Sequence, residues 1–141
     1  MRNRPVILLV EDFVDAREMY RDYLEFSGFE VHTAGDGFAA IAIAKERHPD
    51  LILMDLSLPG LDGWEATRRL KADEATKHIT IVALSAHALS AEGERARDAG
   101  CDGFIAKPCL PPDLIDQMAP FLKAEGASDR LPRPGSHPPN R

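Results

Sequence analysis

Five short apolar runs alternate with helix-like segments along this chain, and this alternation is the strongest constraint on its fold. The runs are Val6–Val10, Glu30–Ala34, Leu51–Met54, Ile79–Leu84 and Gly103–Ala106. The first, third and fourth runs are almost continuously apolar, which is typical of strands that are covered on both faces. Because strands and helices alternate over short connections, we expect an α/β fold with a doubly wound, parallel, five-stranded sheet.

The segments between and after the runs predict five helices. These are Ala16–Leu24, Ala39–Arg47, Trp64–Lys71, Ser90–Ala99 and Leu114–Leu122. Gly28 stands where the first helix should stop, His48-Pro49 ends the second, and Pro111-Pro112 stands at the start of the fifth. Ser90 is a candidate N-cap for the fourth helix. Gly93 inside that helix costs roughly 1 kcal/mol relative to alanine, so we expect the fourth helix to be the least stable.

Composition limits the kinds of partner this chain can have. The 141 residues carry a formal net charge of −6 without a basic cluster, which argues against direct binding to nucleic acid. The longest apolar stretches are about five to seven residues, far short of the roughly 20 needed to span a bilayer. The basic first five residues are not followed by the apolar core of a signal peptide. We therefore expect a cytoplasmic protein with no membrane contact.

The last 18 residues differ from the rest in composition. Residues 124–141 contain Pro132, Pro134, Pro138 and Pro139 and few large apolar residues. We expect a folded domain over residues 1–123 and a disordered Pro-rich tail over 124–141. The same composition suits the first part of a linker to a further domain, so both interpretations stay open.

The chain has two cysteines, Cys101 and Cys109. Two cysteines do not form a disulfide framework, and no Cys-x-x-Cys or Cys/His spacing supports a zinc site. We expect two packed thiols.

Polar residues that could bind a ligand or take part in a reaction stand at the carboxyl ends of four predicted strands. Glu11-Asp12 follow the first strand, Asp55 the third, Ser85 the fourth and Lys107 the fifth. Parallel doubly wound sheets bind their ligands at this edge. Each residue alone would be an ordinary cap or surface group, but together they predict one site.

Three carboxylates at one place repel one another unless a cation is present. Mg²⁺ suits such a set because it takes hard oxygen ligands and bridges to phosphate. We expect Asp12 and Asp55 as direct ligands, Glu11 holding a metal-bound water, and a backbone carbonyl near Ser57 as a further ligand.

The same residues suit phosphoryl transfer. Asp55 can act as a nucleophile toward phosphorus and form an aspartyl-phosphate. Such a reaction needs positioning and charge neutralisation, which Lys107 and Mg²⁺ would supply. Ser85 would donate a hydrogen bond to a phosphoryl oxygen, and the small Ala86 would leave room for the group.

With these motifs the sequence resembles the response-regulator receiver family. The resemblance rests on Glu11-Asp12 after VILLV, Asp55 in LILMDLSLPGLDG, Ser85 in VALSA, and Lys107-Pro108 in GFIAKP. It extends over about residues 6–123. It implies a flavodoxin-like (βα)5 fold with strand order 2-1-3-4-5. It also implies a signalling role in which the protein catalyses its own phosphorylation and slow dephosphorylation, without acting as an enzyme on other substrates.

The resemblance also implies partners and a switch. The phosphoryl group would come from a phosphohistidine on a sensor histidine kinase or a histidine phosphotransfer protein. Ser85 and Phe104 would move on phosphorylation and alter the face formed by the fourth helix, fifth strand and fifth helix, which binds a downstream protein. The Lys107–Pro108 bond would be cis, His87 would tune the dephosphorylation rate, and the protein would be a monomer or weak dimer.

Other functions remain to be weighed against this one. The chain could be a receiver fragment of a larger regulator or hybrid histidine kinase. A phosphatase of the haloacid-dehalogenase type would need a second aspartate where Ser57 stands. A nucleotide- or flavin-binding module would need a glycine-rich loop where Glu11-Asp12-Phe13 follow the first strand.

Overall fold

Five parallel strands form the centre of the fold in a computed structural model that describes residues 4–85, 97–107 and 109–123. The strands are β1 (Val6–Val10), β2 (Glu30–Ala34), β3 (Leu51–Asp55), β4 (Thr80–Ser85) and β5 (Gly103–Ala106). Their order in the sheet is β2-β1-β3-β4-β5. This architecture confirms the predicted α/β doubly wound sheet and its strand order.

Helices follow the strands as the sequence predicts. They are α1 (Val14–Phe26), α2 (Gly37–Arg47), α3 (Gly63–Ala72), α4, of which residues 97–99 are described, and α5 (Pro111–Lys123). Ser90 and Gly93, on which the prediction of a weak fourth helix rests, lie outside the described residues. Among the described helices none is long and apolar enough to cross a membrane.

The central strands are buried on both faces because helices cover both sides of the sheet. Every residue of β1, β3 and β4 is buried, whereas the edge strands β2 and β5 are only partly so. One core layer packs the sheet against α2 and α3, and the other packs it against α1 and α5. This two-sided burial explains the continuous apolar runs in the sequence.

The end of α1 is defined by backbone hydrogen bonds around Gly28. The Gly28 N–H donates to the carbonyl of Glu25, and the Phe29 N–H donates to that of Leu24, both near 3 Å. With Gly28 at a φ of 104°, this is a Schellman motif. Leu24 and Phe29 are both buried in the same core layer. The predicted stop at Gly28 is confirmed.

The start of α3 lies directly against the end of β3. Asp62 caps the helix by accepting a hydrogen bond of 2.9 Å from the Glu65 N–H. A Cβ atom on Gly63 would lie 2.4 Å from the carbonyl oxygen of Asp55 and 2.8 Å from the Cα of Leu56. Only glycine therefore allows the helix to approach the strand end so closely.

Both cysteines are free and buried, as the sequence predicts. Burial raises the pKa of the Cys101 thiol to about 11. Both side chains pack in the core layers, Cys101 on the α2–α3 side and Cys109 on the α1–α5 side. They act as small apolar core residues.

Replacing Gly63 by alanine is expected to lower the stability of the fold. The new methyl group would overlap rigid backbone atoms of β3, and overpacking of this kind typically costs about 1–3 kcal/mol. Urea unfolding followed by circular dichroism measures this loss. Gly35→Ala is the matched control, since its Cβ would meet a single side-chain atom, Nη1 of Arg17 at 3.0 Å, and no backbone atom. Equal stability of the two variants would contradict the packing argument.

Candidate functional site

Three carboxylates from two neighbouring strands meet at one edge of the sheet. Glu11 and Asp12 follow β1, and Asp55 is the last residue of β3. A carboxylate oxygen of each lies within 4.8 Å of the others. Glu11 is 2% exposed and Asp55 3%, whereas Asp12 is exposed to solvent. The structure therefore brings together the acidic residues that the sequence predicted.

Lys107 supplies a positive charge to this cluster. Its Nζ lies 3.0 Å from Oε1 of Glu11 and 3.4 Å from Oδ2 of Asp55. The lysine comes directly after β5, and its backbone N–H donates to the carbonyl of Ser85 at 2.9 Å. The ammonium thus links residues that are 96 and 52 positions away in the chain.

Backbone N–H groups orient the two buried carboxylates. The Ser57 N–H donates to Oδ1 of Asp55 at 3.0 Å, and the Phe13 N–H donates to Oε2 of Glu11 at 3.2 Å. Each carboxylate thus has one oxygen on a backbone donor and the other on Lys107. Ser57 itself is exposed. Its carbonyl oxygen as a metal ligand stays a prediction.

Burial and charge shift the ionisation of the paired groups. Burial, together with the charge of Asp55, raises the pKa of Glu11, although the hydrogen bond from Lys107 opposes this. Burial alone would lower the pKa of Lys107, but the hydrogen bond to Glu11 and the charges of Asp55 and Glu11 outweigh it, and the pKa is raised. Lys107 therefore remains protonated at neutral pH.

The charges of the site do not balance without a further cation. Three carboxylates and the Lys107 ammonium sum to a charge of −2 when all are ionised, and the nearby Arg17 guanidinium, which donates to the Glu11 backbone carbonyl, offsets only part of it. All the candidate side-chain ligands are oxygens, and the accessible Asp12 gives the cluster an open side. This donor set fits a hard divalent cation such as Mg²⁺.

Ser85 ends β4, the strand next to the one that carries Asp55, and Phe104 lies on β5 beyond it. Ser85 is the buried last residue of β4 and pairs with Ala106 in the sheet. Phe104, on β5, is half-buried against the α2–α3 core layer. The guanidinium carbon of Arg97, on α4, lies 5.0 Å from the centre of the Phe104 ring. This is a cation–π contact on the predicted switch residue.

Some polar contacts, at the site and away from it, were not anticipated from the sequence. The Arg17 guanidinium donates to the backbone carbonyl of Glu11 at 3.0 Å. At the opposite edge of the sheet, Lys71 donates to the carbonyl of Ile79 at 2.7 Å and contacts Asp102 at 3.0 Å. These contacts join distant positions, and no local sequence pattern signals them.

Three predictions concern residues outside the described ranges. They are the cis bond at Pro108, the space left by Ala86, and the rate-tuning role of His87. The predicted tail over residues 124–141 also lies outside these ranges.

Comparison with known proteins identifies the family. The sequence profile of the response regulator receiver domain matches residues 7–119, most of the chain. The chain therefore belongs to the response-regulator receiver family of two-component signalling. The proposed resemblance is confirmed, and the dehalogenase and nucleotide-binding alternatives are excluded.

Individual relatives agree with this assignment. The polar-differentiation response regulator DivK of Brucella ovis is 40% identical over 116 residues, which cover 82% of this chain and 94% of DivK. The receiver domain of sensor histidine kinase PA1611 from Pseudomonas aeruginosa is 34% identical with a TM-score of 0.79. The match covers 85% of this chain and 98% of that domain, whose structure has a magnesium ion coordinated in the active-site cleft.

A solved chemotaxis regulator shares the same fold. CheY4 of Vibrio cholerae has a TM-score of 0.79 and 26% identity. The match covers 84% of this chain and 98% of that one. The fold is therefore that of CheY-like receivers.

Replacing Asp12 by asparagine is expected to raise the melting temperature of the metal-free protein at low salt. The change removes one of three like charges and so relieves their repulsion. Differential scanning calorimetry in EDTA measures the shift. Asp15→Asn is the matched control, because it removes the same charge from the first turn of α1, where a carboxylate is favourable. An unchanged or lower melting temperature for Asp12→Asn would contradict the repulsion argument.

Proposed function

We propose that this protein is a phospho-receiver that takes a phosphoryl group onto Asp55 from a phosphohistidine donor. The observation that carries the proposal is the contact of one ammonium, that of Lys107, with the buried carboxylates of both Glu11 and Asp55. The donor would be a sensor histidine kinase or a histidine phosphotransfer protein, the partners that a receiver domain implies.

The residues of the site have distinct roles in this proposal. A carboxylate oxygen of Asp55 forms the new bond to phosphorus while the bond between phosphorus and the donor histidine nitrogen breaks. The Ser57 N–H donates to Oδ1 of Asp55 and so fixes the orientation of the carboxylate. Lys107 neutralises charge on the phosphoryl oxygens, and the Ser85 hydroxyl donates to one of them.

Glu11, Asp12, Asp55 and the Ser57 carbonyl would hold Mg²⁺. When bound, the ion supplies two positive charges that offset the carboxylates and the incoming phosphoryl oxygens. The excess negative charge of the cluster and the exposure of Asp12 on its open side support this assignment.

Exposed apolar side chains adjoin the site in the chain and suit a protein donor. Phe13 and Val14 follow the acidic pair and are 63% and 53% exposed, and Leu110, three positions after Lys107, is 69% exposed. Exposed large apolar groups near a reactive centre are typical of protein-binding surfaces. We infer that they contact the phosphodonor protein.

The output would pass through Phe104. Its ring sits between the core and the guanidinium of Arg97, so inward rotation of the ring would break the contact with α4. Movement of Ser85 toward the phosphoryl group would make room for that rotation, and the face of α4, β5 and α5 would change its fit to a downstream protein. Phosphorylation thereby biases two preexisting conformations.

Two forms of the parent protein are compatible with this function. DivK is matched over 94% of its own length, whereas the PA1611 receiver is part of a sensor histidine kinase. A receiver fragment of a larger regulator is therefore the second candidate, with the same chemistry. A cytoplasmic location, a monomer or weak dimer, and a Pro-rich tail over residues 124–141 remain parts of the proposal.

Acetyl phosphate with Mg²⁺ is expected to add one phosphoryl group to the protein, and Asp55→Asn is expected to prevent it. The asparagine amide keeps the shape of the side chain but is not a nucleophile toward phosphorus. Intact-protein mass spectrometry measures the addition. EDTA should abolish labelling of the wild type.

Asp62→Asn is the matched control for this experiment. It changes a nearby aspartate that caps α3, and asparagine also caps helices well. This variant should label like the wild type. Stoichiometric labelling of Asp55→Asn would overturn the assignment of the phosphoacceptor.

Replacing Arg97 by alanine is expected to raise the affinity for beryllofluoride, a phosphoryl analogue, about two- to fivefold in the presence of Mg²⁺. The change removes a cation–π contact of about 0.5–1 kcal/mol that favours the outward position of Phe104. Isothermal titration calorimetry measures the affinity. Arg68→Ala, which removes a surface arginine paired with Glu65 on α3, should leave it unchanged. If Arg97→Ala binds beryllofluoride with unchanged affinity, the contact with Arg97 does not favour the outward position of Phe104.

A further inference from the structure

A buried tyrosine joins the first helix to the loop that carries the lysine of the site. The hydroxyl of Tyr20, on α1, donates to the backbone carbonyl of Cys109 at 2.5 Å. The two residues are 89 positions apart in the chain. Tyr20 is 6% exposed and Cys109 9%, so water competes little for this hydrogen bond.

This contact anchors the segment that follows β5. Cys109 lies two positions after Lys107 and two before α5 begins at Pro111. On the other side, the Lys107 N–H is bonded to the Ser85 carbonyl. The backbone is thus bonded to β4 at Lys107 and to α1 at Cys109.

The same helix is also tied to the acidic residues. Arg17, three positions before Tyr20, donates to the carbonyl of Glu11. Helix α1 therefore contacts Glu11 through Arg17, and the segment that follows Lys107 through Tyr20 and Cys109. We expect a fixed α1 to hold the Glu11 carboxylate and the Lys107 ammonium at contact distance.

The aromatic ring and the hydroxyl of Tyr20 have separable roles. The ring packs in the α1–α5 core layer, where a phenylalanine ring would fill the same space. Only the hydroxyl can reach the Cys109 carbonyl. Burial raises the pKa of Tyr20, so the hydroxyl remains a protonated donor at neutral pH.

We propose that Tyr20 is a positioning residue for Lys107, acting through the carbonyl of Cys109. This inference rests on the proposed function, since Lys107 acts on the phosphoryl group there. It adds a residue that touches neither the phosphoryl group nor the carboxylates. Without the hydroxyl, the ammonium would spend less time between Glu11 and Asp55.

Tyr20→Phe is expected to slow labelling by acetyl phosphate at saturating Mg²⁺ by roughly 3- to 10-fold, the range that one net hydrogen bond provides. Intact-protein mass spectrometry gives the initial rate. Tyr23→Phe is the matched control, since it removes the hydroxyl of the chain's other tyrosine from the same helix. That variant should label at the wild-type rate.

Two further measurements separate positioning from general destabilisation. Hydrogen–deuterium exchange should speed up in Tyr20→Phe in the peptide containing Lys107 and Cys109, with little change in the strands. In a Lys107→Ala background, Tyr20→Phe should slow labelling no further, because the two residues act as one unit. If Lys107→Ala labels too slowly for comparison, the exchange result decides.

If Tyr20→Phe labels at the same rate as the wild-type protein, the inference is overturned. The inference is also overturned if Tyr20→Phe slows labelling as much in the Lys107→Ala background as in the wild-type background. Faster hydrogen–deuterium exchange over the whole sheet would overturn it as well. Absence of labelling in the wild type would instead overturn the proposed function. In that case the exchange experiment still reports whether Tyr20 holds the lysine loop.

Discussion

The shared ammonium of Lys107 is the interaction on which the site depends. It lies 3.0 Å from Glu11 and 3.4 Å from Asp55, two carboxylates that are almost completely buried. Burying a charged group without a partner is costly, and Lys107 supplies the counter-charge for both carboxylates. Because one ammonium does not balance three carboxylates, the same arrangement also creates the demand for a divalent cation.

The fold meets this constraint with rigid elements. Strands β1, β3 and β4 are buried along their whole length, and their carboxyl ends hold the acidic and hydroxyl groups at one edge. Gly63 lets α3 approach the end of β3 closely, because its Cα carries a hydrogen atom where a Cβ would overlap the backbone of Asp55. Helix α1, through Arg17 and Tyr20, contacts the acidic loop and the lysine loop together.

The contacts outside the ion cluster suit a protein that changes state. The ring of Phe104 contacts the core on one side and Arg97 on the other, and an exposed cation–π contact of this size is easily broken. A small energy difference between two positions of the ring is what a reversible covalent modification can bias. Membership of the receiver family agrees with this arrangement.

The sequence by itself determined the strands and the order of elements, because continuous apolar runs predict buried parallel strands. It also predicted that the polar residues after these strands lie together, and the structure brings Glu11, Asp55 and Lys107 into contact. The apolar runs predicted the ends of β3 and β4 one residue too early. In the structure Asp55 still pairs with Leu84, and Ser85 with Ala106, so each strand includes its polar last residue. Only the tertiary structure decided the contacts of Tyr20 with Cys109 and of Arg97 with Phe104. Such contacts depend on how helices pack against loops and strands, and a single sequence carries no periodic signal for them.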